Sequence, residues 1–308
     1  MLGRSALLAA TNSSSGPPGF GVKYADPATL PAGEGNSVAF SPAGNAIAVG
    51  HNNSPYITAY PWSSASGFGT KYTNPATLPA GIGNGVAFSP AGNAIAVAHQ
   101  GSPRITVYPW SSASGFGTKY TNPATLPASD CYGVAFSPAG NAIAVGHNNS
   151  PRITAYPWSS ASGFGTKYTN PATLPADLAF AVAFSPAGDA IAVANDALNG
   201  VFITAYPWSS ASGFGTKYTD PATLPAGSGT GVAFSPAGDV IAVANKNNPY
   251  GASGSPYITA YPWSSASGFG TKYTNPAALP TSNGNGVAFS PAGNAIAVAH
   301  NSPPYITA

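Results

Sequence analysis

The sequence predicts an all-β fold, a six-bladed β-propeller with four antiparallel strands in each blade. A repeated unit begins at Gly19, Gly67, Gly115, Gly163, Gly213 and Gly268, at intervals of 48 to 55 residues. Repeats of this length are typical of solenoids, propellers and other arrays. Each unit contains four short segments of strand-like composition, and no segment has helical periodicity. The sequence also lacks the polar caps that a solenoid needs at its ends, which favours a ring of blades.

The second unit shows the four predicted strands clearly. Each is a short run rich in β-branched and aromatic residues, and clusters of glycine, proline, serine and asparagine separate the runs. The first two runs are joined by Ser89-Pro90-Ala91-Gly92, whose proline and glycine suit a tight hairpin. We name the strands in order: strand a is Val86–Ser89, strand b is Ala94–His99, strand c is Ile105–Trp110 and strand d is Phe116–Thr121.

Strand b predicts how the blades pack together. Side chains alternate between the two faces of a strand. One face therefore carries Ile95, Val97 and His99, and the other carries Ala94, Ala96 and Ala98. A bulky face and a nearly flat face, present in every copy, can both be buried by stacking each blade on the next.

The ends of the repeat predict how the ring closes. The sixth unit stops at Ala308, within its strand c, and a spare strand d is present near Phe20–Tyr24. Pairing of this N-terminal strand d with the C-terminal blade would leave no free edge between blades. We therefore expect one propeller domain over residues 19–308, preceded by an N-terminal extension over residues 1–18.

Composition and charge argue against several kinds of partner. The 10 basic and 8 acidic side chains leave a net charge of +2, too small to attract nucleic acid or an acidic membrane surface. No apolar run approaches the roughly 20 residues that span a bilayer, so we expect no membrane insertion. The apolar run after Arg4 is too short for a secretory signal. Cys131 is the only cysteine, and we expect it to be a buried apolar residue.

The N-terminal extension has two interpretations. It packs locally against the propeller, or it attaches the propeller to a larger particle through Leu2, Leu7 and Leu8. Termini are usually poorly ordered unless something holds them in place, and the sequence alone does not choose between these two interpretations.

Two segments of the unit resemble a known class of propeller. Val86-Ala87-Phe88-Ser89-Pro90-Ala91-Gly92-Asn93 is similar to the V-A-F-S-P-D-G segment of WD-repeat and YVTN-like propellers, and Ile105-Thr106-Val107-Tyr108-Pro109-Trp110 is similar to their strand c. The usual Trp-Asp pair is replaced by Tyr108-Pro109, and the usual Gly-His pair is missing. The near-identical copies also resemble repetitive propellers of bacteriophages and bacteria.

The largest differences among the six copies fall in two loops. The a–b turn and the c–d link are nearly constant, whereas the d–a and b–c loops differ in sequence and the b–c loop also differs in length. In an up-and-down blade these two variable loops lie on the same face. Relaxed constraint would predict drift on both faces, so we favour a binding face. Its candidate ligand-binding residues are Glu34, Tyr56, Arg104, Asp130, Tyr132, Arg152, Asp177, Phe180, Phe202, Tyr250, Tyr257 and Tyr305.

Histidine occurs at one position of the unit, the last residue of strand b. His51, His99, His147 and His300 occupy it in four copies, and Asn195 and Asn245 replace them in the other two. These residues either contact a ligand or metal, or supply a hydrogen bond that orders the next loop, as asparagine also can. The second interpretation is favoured. We therefore expect no metal and no cofactor.

The sequence contains no recurring acid–base pair or nucleophile, so it predicts no catalytic residues. We expect a non-enzymatic binding or display module that recognises a glycan or protein receptor. A phage virion or a bacterial, extracellular surface is the expected location. One alternative is a purely structural component of a particle. Another is a lactonase-like propeller hydrolase, which by resemblance would gather carboxylates, histidines or asparagines around a metal in the central channel.

Overall fold

The structure, a computed structural model, describes residues 22–197, 200–248, 251 and 253–308. Within these ranges all regular structure is β, and no helix is present that could cross a membrane. The strands form six antiparallel sheets, which we number as blades 1 to 6 in chain order. The predicted all-β, six-bladed β-propeller is confirmed.

The strand bounds repeat closely from blade to blade. Blade 1 contains β1 (Gly35–Phe40), β2 (Ala46–His51), β3 (Ile57–Ser63) and β4 (Gly67–Phe68), and blade 2 contains β5 (Gly83–Phe88), β6 (Ala94–His99), β7 (Ile105–Ser111) and β8 (Gly115–Phe116). Blade 3 contains β9 (Cys131–Phe136), β10 (Ala142–His147), β11 (Ile153–Ser159) and β12 (Gly163–Phe164), and blade 4 contains β13 (Ala179–Phe184), β14 (Ala190–Asn195), β15 (Ile203–Ser209) and β16 (Gly213–Phe214). Blade 5 contains β17 (Ser228–Phe234), β18 (Val240–Lys246), β19 (Ile258–Ser264) and β20 (Gly268–Phe269), and blade 6 contains β21 (Gly284–Phe289), β22 (Ile296–His300) and β23 (Ile306–Thr307).

The outer strand, strand d, is shorter than the sequence predicted. In blade 2 only Gly115 and Phe116 pair with β7. The carbonyl of Pro109 accepts a hydrogen bond from the N–H of Gly117 at 2.8 Å. Because proline has no N–H, it cannot return a bond to the outer strand, and the regular ladder stops there. The chain continues outside the blade as an irregular segment, which we call the outer segment. It carries one lysine in each unit: Lys23, Lys71, Lys119, Lys167, Lys217 and Lys272.

The predicted stacking of bulky on flat faces is confirmed. Between blades 2 and 3, Ile143 and Val145 of β10 pack against Ala96 and Ala98 of β6 in one buried cluster. Equivalent clusters join blades 1 and 2, 3 and 4, 4 and 5, and 5 and 6. Cys131 belongs to the cluster between blades 2 and 3 and is fully buried, as predicted.

A group of aromatic rings fastens each outer segment to the following blade. The Trp110 ring meets Phe88, Phe116 and Tyr72 edge to face, with centroids 5.0 to 5.2 Å apart. Tyr72 comes from the outer segment of blade 1, and its hydroxyl donates to the carbonyl of Ser112 at 2.6 Å. Such aromatic pairs contribute about 0.5–1.5 kcal/mol each beyond their buried area. The aromatic residues that are constant in every unit therefore attach each blade to the next.

The predicted closing pair between the N-terminal strand d and blade 6 is not formed by the described residues. Val22–Tyr24 form no strand and no backbone hydrogen bond with β23, while Phe20 lies outside the described residues. In the other blades, the Gly-Phe pair of strand d forms its backbone pairing with a Trp-Ser pair of strand c, as Phe68 does with Trp62. A strand d therefore needs such a Trp-Ser pair as its partner. No Trp-Ser pair of blade 6 is among the described residues.

The N-terminal segment is instead seated on blade 1. The Tyr24 ring lies 4.9 Å from Trp62, and its hydroxyl donates to the carbonyl of Ser64 at 2.6 Å. These contacts match those that Tyr72 makes with blade 2. No buried cluster joins blade 6 to blade 1 within the part of the chain that the structure describes. The proposed anchor residues Leu2, Leu7 and Leu8 lie outside that part.

Truncation of a bulky-face residue tests this packing. Ile143 is fully buried between blades, so Ile143→Ala should lower the free energy of unfolding by about 2–5 kcal/mol. Ile296, at the same position of blade 6, is partly exposed, and Ile296→Ala should cost clearly less. Urea unfolding followed by tryptophan fluorescence measures both. Equal losses would contradict the account of blade 6 as the incompletely packed blade.

Candidate functional site

The two variable loops of each blade lie together on one face, as predicted. In five blades a backbone N–H at the start of the b–c loop donates to a carbonyl of the d–a loop. The pairs are Asn52 to Glu34, Gln100 to Ile82, Asn148 to Asp130, Asp196 to Leu178 and Asn301 to Asn283, at 2.8 to 3.2 Å. We call this surface the variable face.

A β-bulge occurs at the start of the inner strand in all six blades. Each bulge falls where the pairing register between strands a and b shifts by one residue. Bulges redirect side chains and are common next to active sites. The inner strands line the central channel, so the bulged residues surround its entrance on the variable face. We call them the bulge ring: Asn36, Asn84, Tyr132, Phe180, Thr230 and Asn285.

Most of the bulge ring is polar and engaged in hydrogen bonds. Asn84 donates to the carbonyl of Cys131 at 2.9 Å, and Thr230 donates to the carbonyl of Gly284 at 2.6 Å. Asn36 donates to Asn52 at 2.7 Å within its own blade. These side chains therefore link neighbouring blades or brace the adjacent loop.

The ring changes character where blades 3, 4 and 5 meet. Tyr132 and Phe180 are in edge-to-face contact, with centroids 5.7 Å apart. The ammonium of Lys246 lies 4.1 Å from the centroid of the Phe180 ring, a cation–π arrangement. Burial lowers the pKa of Lys246, and nearby Asp196 partly offsets that effect. Among the described residues, Lys246 is the cation at the entrance that lies over an aromatic ring.

Lys246 has no ion-pair partner among the described residues. Asp196, the nearest influence on its charge, is already engaged. It accepts hydrogen bonds from the Ser228 hydroxyl at 2.6 Å and from the Asn248 amide at 2.8 Å. Asp196 therefore fastens the b–c loops of blades 4 and 5, which leaves the Lys246 ammonium available to a ligand.

Sequence reasoning missed Lys246. The other lysines of the repeat recur in the outer segments, where they bond a side chain three residues further on, as Lys71 does to Asn74. Lys246 departs from that pattern. Comparison of the residue that follows the last position of strand b would have found it, because that position reads Asn52, Gln100, Asn148, Asp196, Lys246 and Asn301.

Four of the predicted site residues form polar contacts on the variable face. Arg152 pairs with Asp177 of the next blade at 2.8 Å, and both are partly exposed. Arg104 donates to the carbonyl of Pro127 at 3.2 Å. Asp130 accepts from the N–H of Gly101 at 3.3 Å. These contacts stabilise loops, and they bring only Arg152 and Asp177 directly together.

The remaining predicted residues are spread around the ring. Glu34 is exposed and accepts a bond from Asn52 at 3.3 Å. Phe202 is only 3% exposed, so it is a core residue and unavailable to a ligand. Tyr250 lies outside the described residues. The residues that close the b–c loop share a positive φ of 65° to 71°: Tyr56, Arg104, Arg152, Tyr257 and Tyr305.

The histidine at the end of strand b forms a hydrogen bond within its own blade. The Nε2 atoms of His51, His99 and His147 lie 2.9 to 3.0 Å from threonine hydroxyls of the adjacent strand c. Asn245 donates to Thr259 in the same way, at 2.9 Å. This side chain therefore ties strand b to strand c, which refines the predicted loop-ordering role. No group of three metal-binding side chains comes together among the described residues.

The opposite end of the channel is apolar and uniform. A cavity of about 460 Å³ is lined there by one phenylalanine and one proline from every blade, including Phe40 and Pro42 of blade 1. Because every blade contributes the same pair, this end offers no distinctive arrangement of reactive groups.

No protein-family model and no curated protein matches the chain. The repeats therefore make it a propeller without assigning it to the WD-repeat or YVTN-like families. Solved structures match its fold. A candidate 6-phosphogluconolactonase from Bacteroides uniformis matches with a TM-score of 0.61 and 15% identity, covering 86% of this chain and 77% of that one.

Two further structures match over similar lengths. A candidate 6-phosphogluconolactonase from Bacteroides fragilis has a TM-score of 0.67 and 13% identity, covering 86% of this chain and 76% of that one. Hydrazine synthase of Kuenenia stuttgartiensis has a TM-score of 0.65 and 15% identity, covering 91% of this chain and 77% of that one. At these identities the likeness establishes the fold.

These comparisons correct the functional prediction. The sequence predicted a non-enzymatic binding or display module, and that prediction is contradicted by the likeness to candidate 6-phosphogluconolactonases. The prediction rested on the absence of a catalytic group repeated in every blade. It did not consider residues that occur in one blade alone, such as Lys246.

The histidine position makes stability depend on pH. Burial lowers the pKa of His147 to about 4, against roughly 6.5 in an unfolded chain. Between these values the unfolded state binds a proton that the folded state does not, so stability falls as the pH drops through this window. His147→Asn keeps a donor for Thr154 and removes the titration. Between about pH 7 and about pH 4 the free energy of unfolding should fall less in the variant than in wild type, by up to about 3 kcal/mol.

Urea unfolding at a series of pH values measures this difference. Asn245→His is the converse control, because it places a titrating group at a position now occupied by asparagine, and it should steepen the pH dependence. An unchanged slope for His147→Asn would show that the histidine is not held neutral in the folded protein.

Proposed function

We propose that the protein is a lactonase-like hydrolase whose substrate binds at the channel entrance on the variable face. The likeness to two candidate 6-phosphogluconolactonases supports this class of reaction. Their name indicates a phosphorylated sugar lactone as substrate, and for this chain we take a sugar lactone as the substrate class.

The observation that carries the proposal is the position of Lys246. Its ammonium lies at the channel entrance over the Phe180 ring, which itself contacts Tyr132, and it has no ion-pair partner among the described residues. A half-buried cation beside aromatic rings suits a sugar lactone, because the rings offer apolar surface and the ammonium attracts oxygen atoms.

Lactone hydrolysis places negative charge where Lys246 can stabilise it. Water adds to the lactone carbonyl and releases one proton to solvent, and the carbonyl oxygen becomes an oxyanion. The bond from the carbonyl carbon to the ring oxygen then breaks as the C=O bond re-forms, and the ring oxygen takes up a proton to give a hydroxy acid. A positive charge held in a partly dry site stabilises such an oxyanion more strongly than it would in water. Because burial lowers the pKa of Lys246, the group also gives up its proton to the leaving alkoxide more readily than an ordinary lysine.

A metal has no evident place in this site. By resemblance, a propeller lactonase would hold a metal with carboxylates, histidines or asparagines, but the described residues bring no three His, Cys, Asp or Glu side chains together. The buried histidines are also committed to threonine hydroxyls of strand c. No step of the proposed reaction is therefore assigned to a metal.

Hydrolysis of glucono-1,5-lactone and its 6-phosphate tests the proposal, with release of acid followed in a pH-stat. Wild type should exceed the buffer rate. Lys246→Met should lower kcat/KM by roughly 100-fold or more, because it removes charge stabilisation at the oxyanion. Lys272→Met is the matched control, since Lys272 bonds Asn275 in an exposed outer segment.

Two results would overturn the proposal. One is a wild-type rate equal to that of buffer with both lactones. The other is an equal loss, or no loss, in Lys246→Met and Lys272→Met, which would show that the channel entrance takes no part.

A further inference from the structure

The end of the channel opposite to Lys246 contains a cavity of about 460 Å³, within the range of small-ligand sites. Its mouth lies on the constant face, which bears the a–b turns and the c–d links. Each blade contributes the phenylalanine that ends strand a and the proline of the a–b turn. The phenylalanines that form the wall are Phe40, Phe88, Phe136, Phe184, Phe234 and Phe289. We call this cavity the phenylalanine socket.

The inner strands approach one another closely at the deep end of the socket. A Cβ atom on Gly133 would lie 2.8 Å from the Cα atom of Ala181, and one on Gly231 would lie 2.9 Å from the Cα atom of Gly286. None of these four residues lines the socket, whose wall begins at Val134 in blade 3. Strand residues rise about 3.3 Å each, so the wall runs about 10 Å from this level to the phenylalanines. The socket therefore narrows inwards and opens on the constant face.

The wall of the socket is held in place from outside. The Phe88 ring meets the Trp110 ring edge to face, with centroids 5.2 Å apart, and the same pair recurs in blades 1, 3, 4 and 5. Binding is opposed by the ordering of side chains that are mobile beforehand. Because these rings are already packed, a ligand in the socket loses little affinity to such ordering.

The chemistry of the socket selects an apolar ligand. Among the described residues that line it, none is charged, and the only side chains with a polar group are Ser235 and Ser290. Their hydroxyls already donate to Asp239 at 2.7 Å and to Asn294 at 2.9 Å. A polar group buried here would lack a partner. Since each blade contributes the same residues, an unbranched chain that lies along the channel axis contacts all six blades.

The rim of the socket carries negative charge beside blades 4 and 5. The residue that follows the a–b turn is asparagine in four copies and aspartate in two, Asp189 and Asp239. Each aspartate accepts a hydrogen bond from the serine of its own turn, Ser185 or Ser235, at 2.7 Å. No lysine, arginine or histidine occurs in any a–b turn. The charge at the rim therefore favours a cationic group over an anionic one.

We propose that the phenylalanine socket binds the unbranched alkyl chain of a free single-chain amphiphile with a cationic headgroup. The chain lies along the channel axis between the six phenylalanines, and the headgroup stays at the rim near Asp189 and Asp239. This site lies at the opposite end of the channel from Lys246, so it is separate from the proposed hydrolysis.

Isothermal titration calorimetry of the full chain tests the proposal with alkyltrimethylammonium ions, from hexyl to dodecyl, below their micelle concentrations. One ion should bind per protein. Each added CH₂ group should tighten binding about threefold to fourfold until the chain fills the socket, because each group leaves water for an apolar wall. The matching alkyl sulfates should bind at least about threefold more weakly at low salt, and the double variant Asp189→Asn, Asp239→Asn should lose this preference.

Two phenylalanines that contact the same tryptophan locate the site. Phe88 lines the socket, whereas Phe116 lies outside it, with its ring centroid 5.1 Å from that of Trp110. Phe88→Ser should weaken binding at least about fivefold, and Phe116→Ser should leave it unchanged. Pro90→Lys, at the partly exposed rim, stays informative if Phe88→Ser unfolds. It should weaken binding of the ammonium ions more than that of the sulfates.

Four results would overturn the proposal. One is an affinity that does not rise with chain length, and another is an equal effect of Phe88→Ser and Phe116→Ser. A third is binding that Ile296→Ala abolishes and Phe88→Ser does not, which would place the chain in the apolar cavity beside blade 6. The fourth is cosedimentation with phosphatidylcholine vesicles without binding of free chains, which would assign the constant face to a lipid surface.

Discussion

The structure depends on the packing of the bulky face of each blade against the alanine face of the blade before it. In β10, Ile143 and Val145 project towards β6, where Ala96 and Ala98 leave room for them. Protein interiors are packed closely, so this fit fixes the spacing and tilt of neighbouring blades. The tryptophan of strand c and the tyrosine of the preceding outer segment add edge-to-face contacts at the rim. The packing residues are nearly the same in every blade because each blade must fit its neighbours in the same way.

The same constraint leaves the channel entrance free to vary. A bulge near the start of every inner strand leaves one residue outside the regular hydrogen-bond ladder. The side chain of that residue therefore contributes little to the packing of one blade on the next. That position tolerates Asn36, Tyr132, Phe180 and Thr230 in otherwise equal blades. The frame thus supports a ring of six positions whose side chains differ while the blade packing stays the same. Lys246, beside one of these positions, supplies a positive charge that the other blades lack at the residue after strand b.

Much of the fold could be predicted from the sequence, because the other five units repeat the hydrophobic alternation and the turn residues of any one unit. Strand b was predicted with its observed bounds, Ala94–His99, whereas strand d was not, since Pro109 interrupts its ladder. Ring closure through Phe20–Tyr24 was predicted without the Trp-Ser partner that the outer strand needs. Of the site, Tyr132 and Phe180 were identified, but a bulge leaves no clear pattern in one sequence, and Lys246 was overlooked as an exception to the repeat.

A crystal structure of the protein with a sugar lactam would test the central claim most directly. In a lactam a ring N–H replaces the ring oxygen, so the compound resists hydrolysis and can occupy the site. The account predicts the lactam at the channel entrance on the variable face, with an oxygen atom in hydrogen-bond contact with the ammonium of Lys246 and its ring against Tyr132 or Phe180. Binding at the phenylalanine-lined end of the channel, or at the rim of a blade, would contradict it.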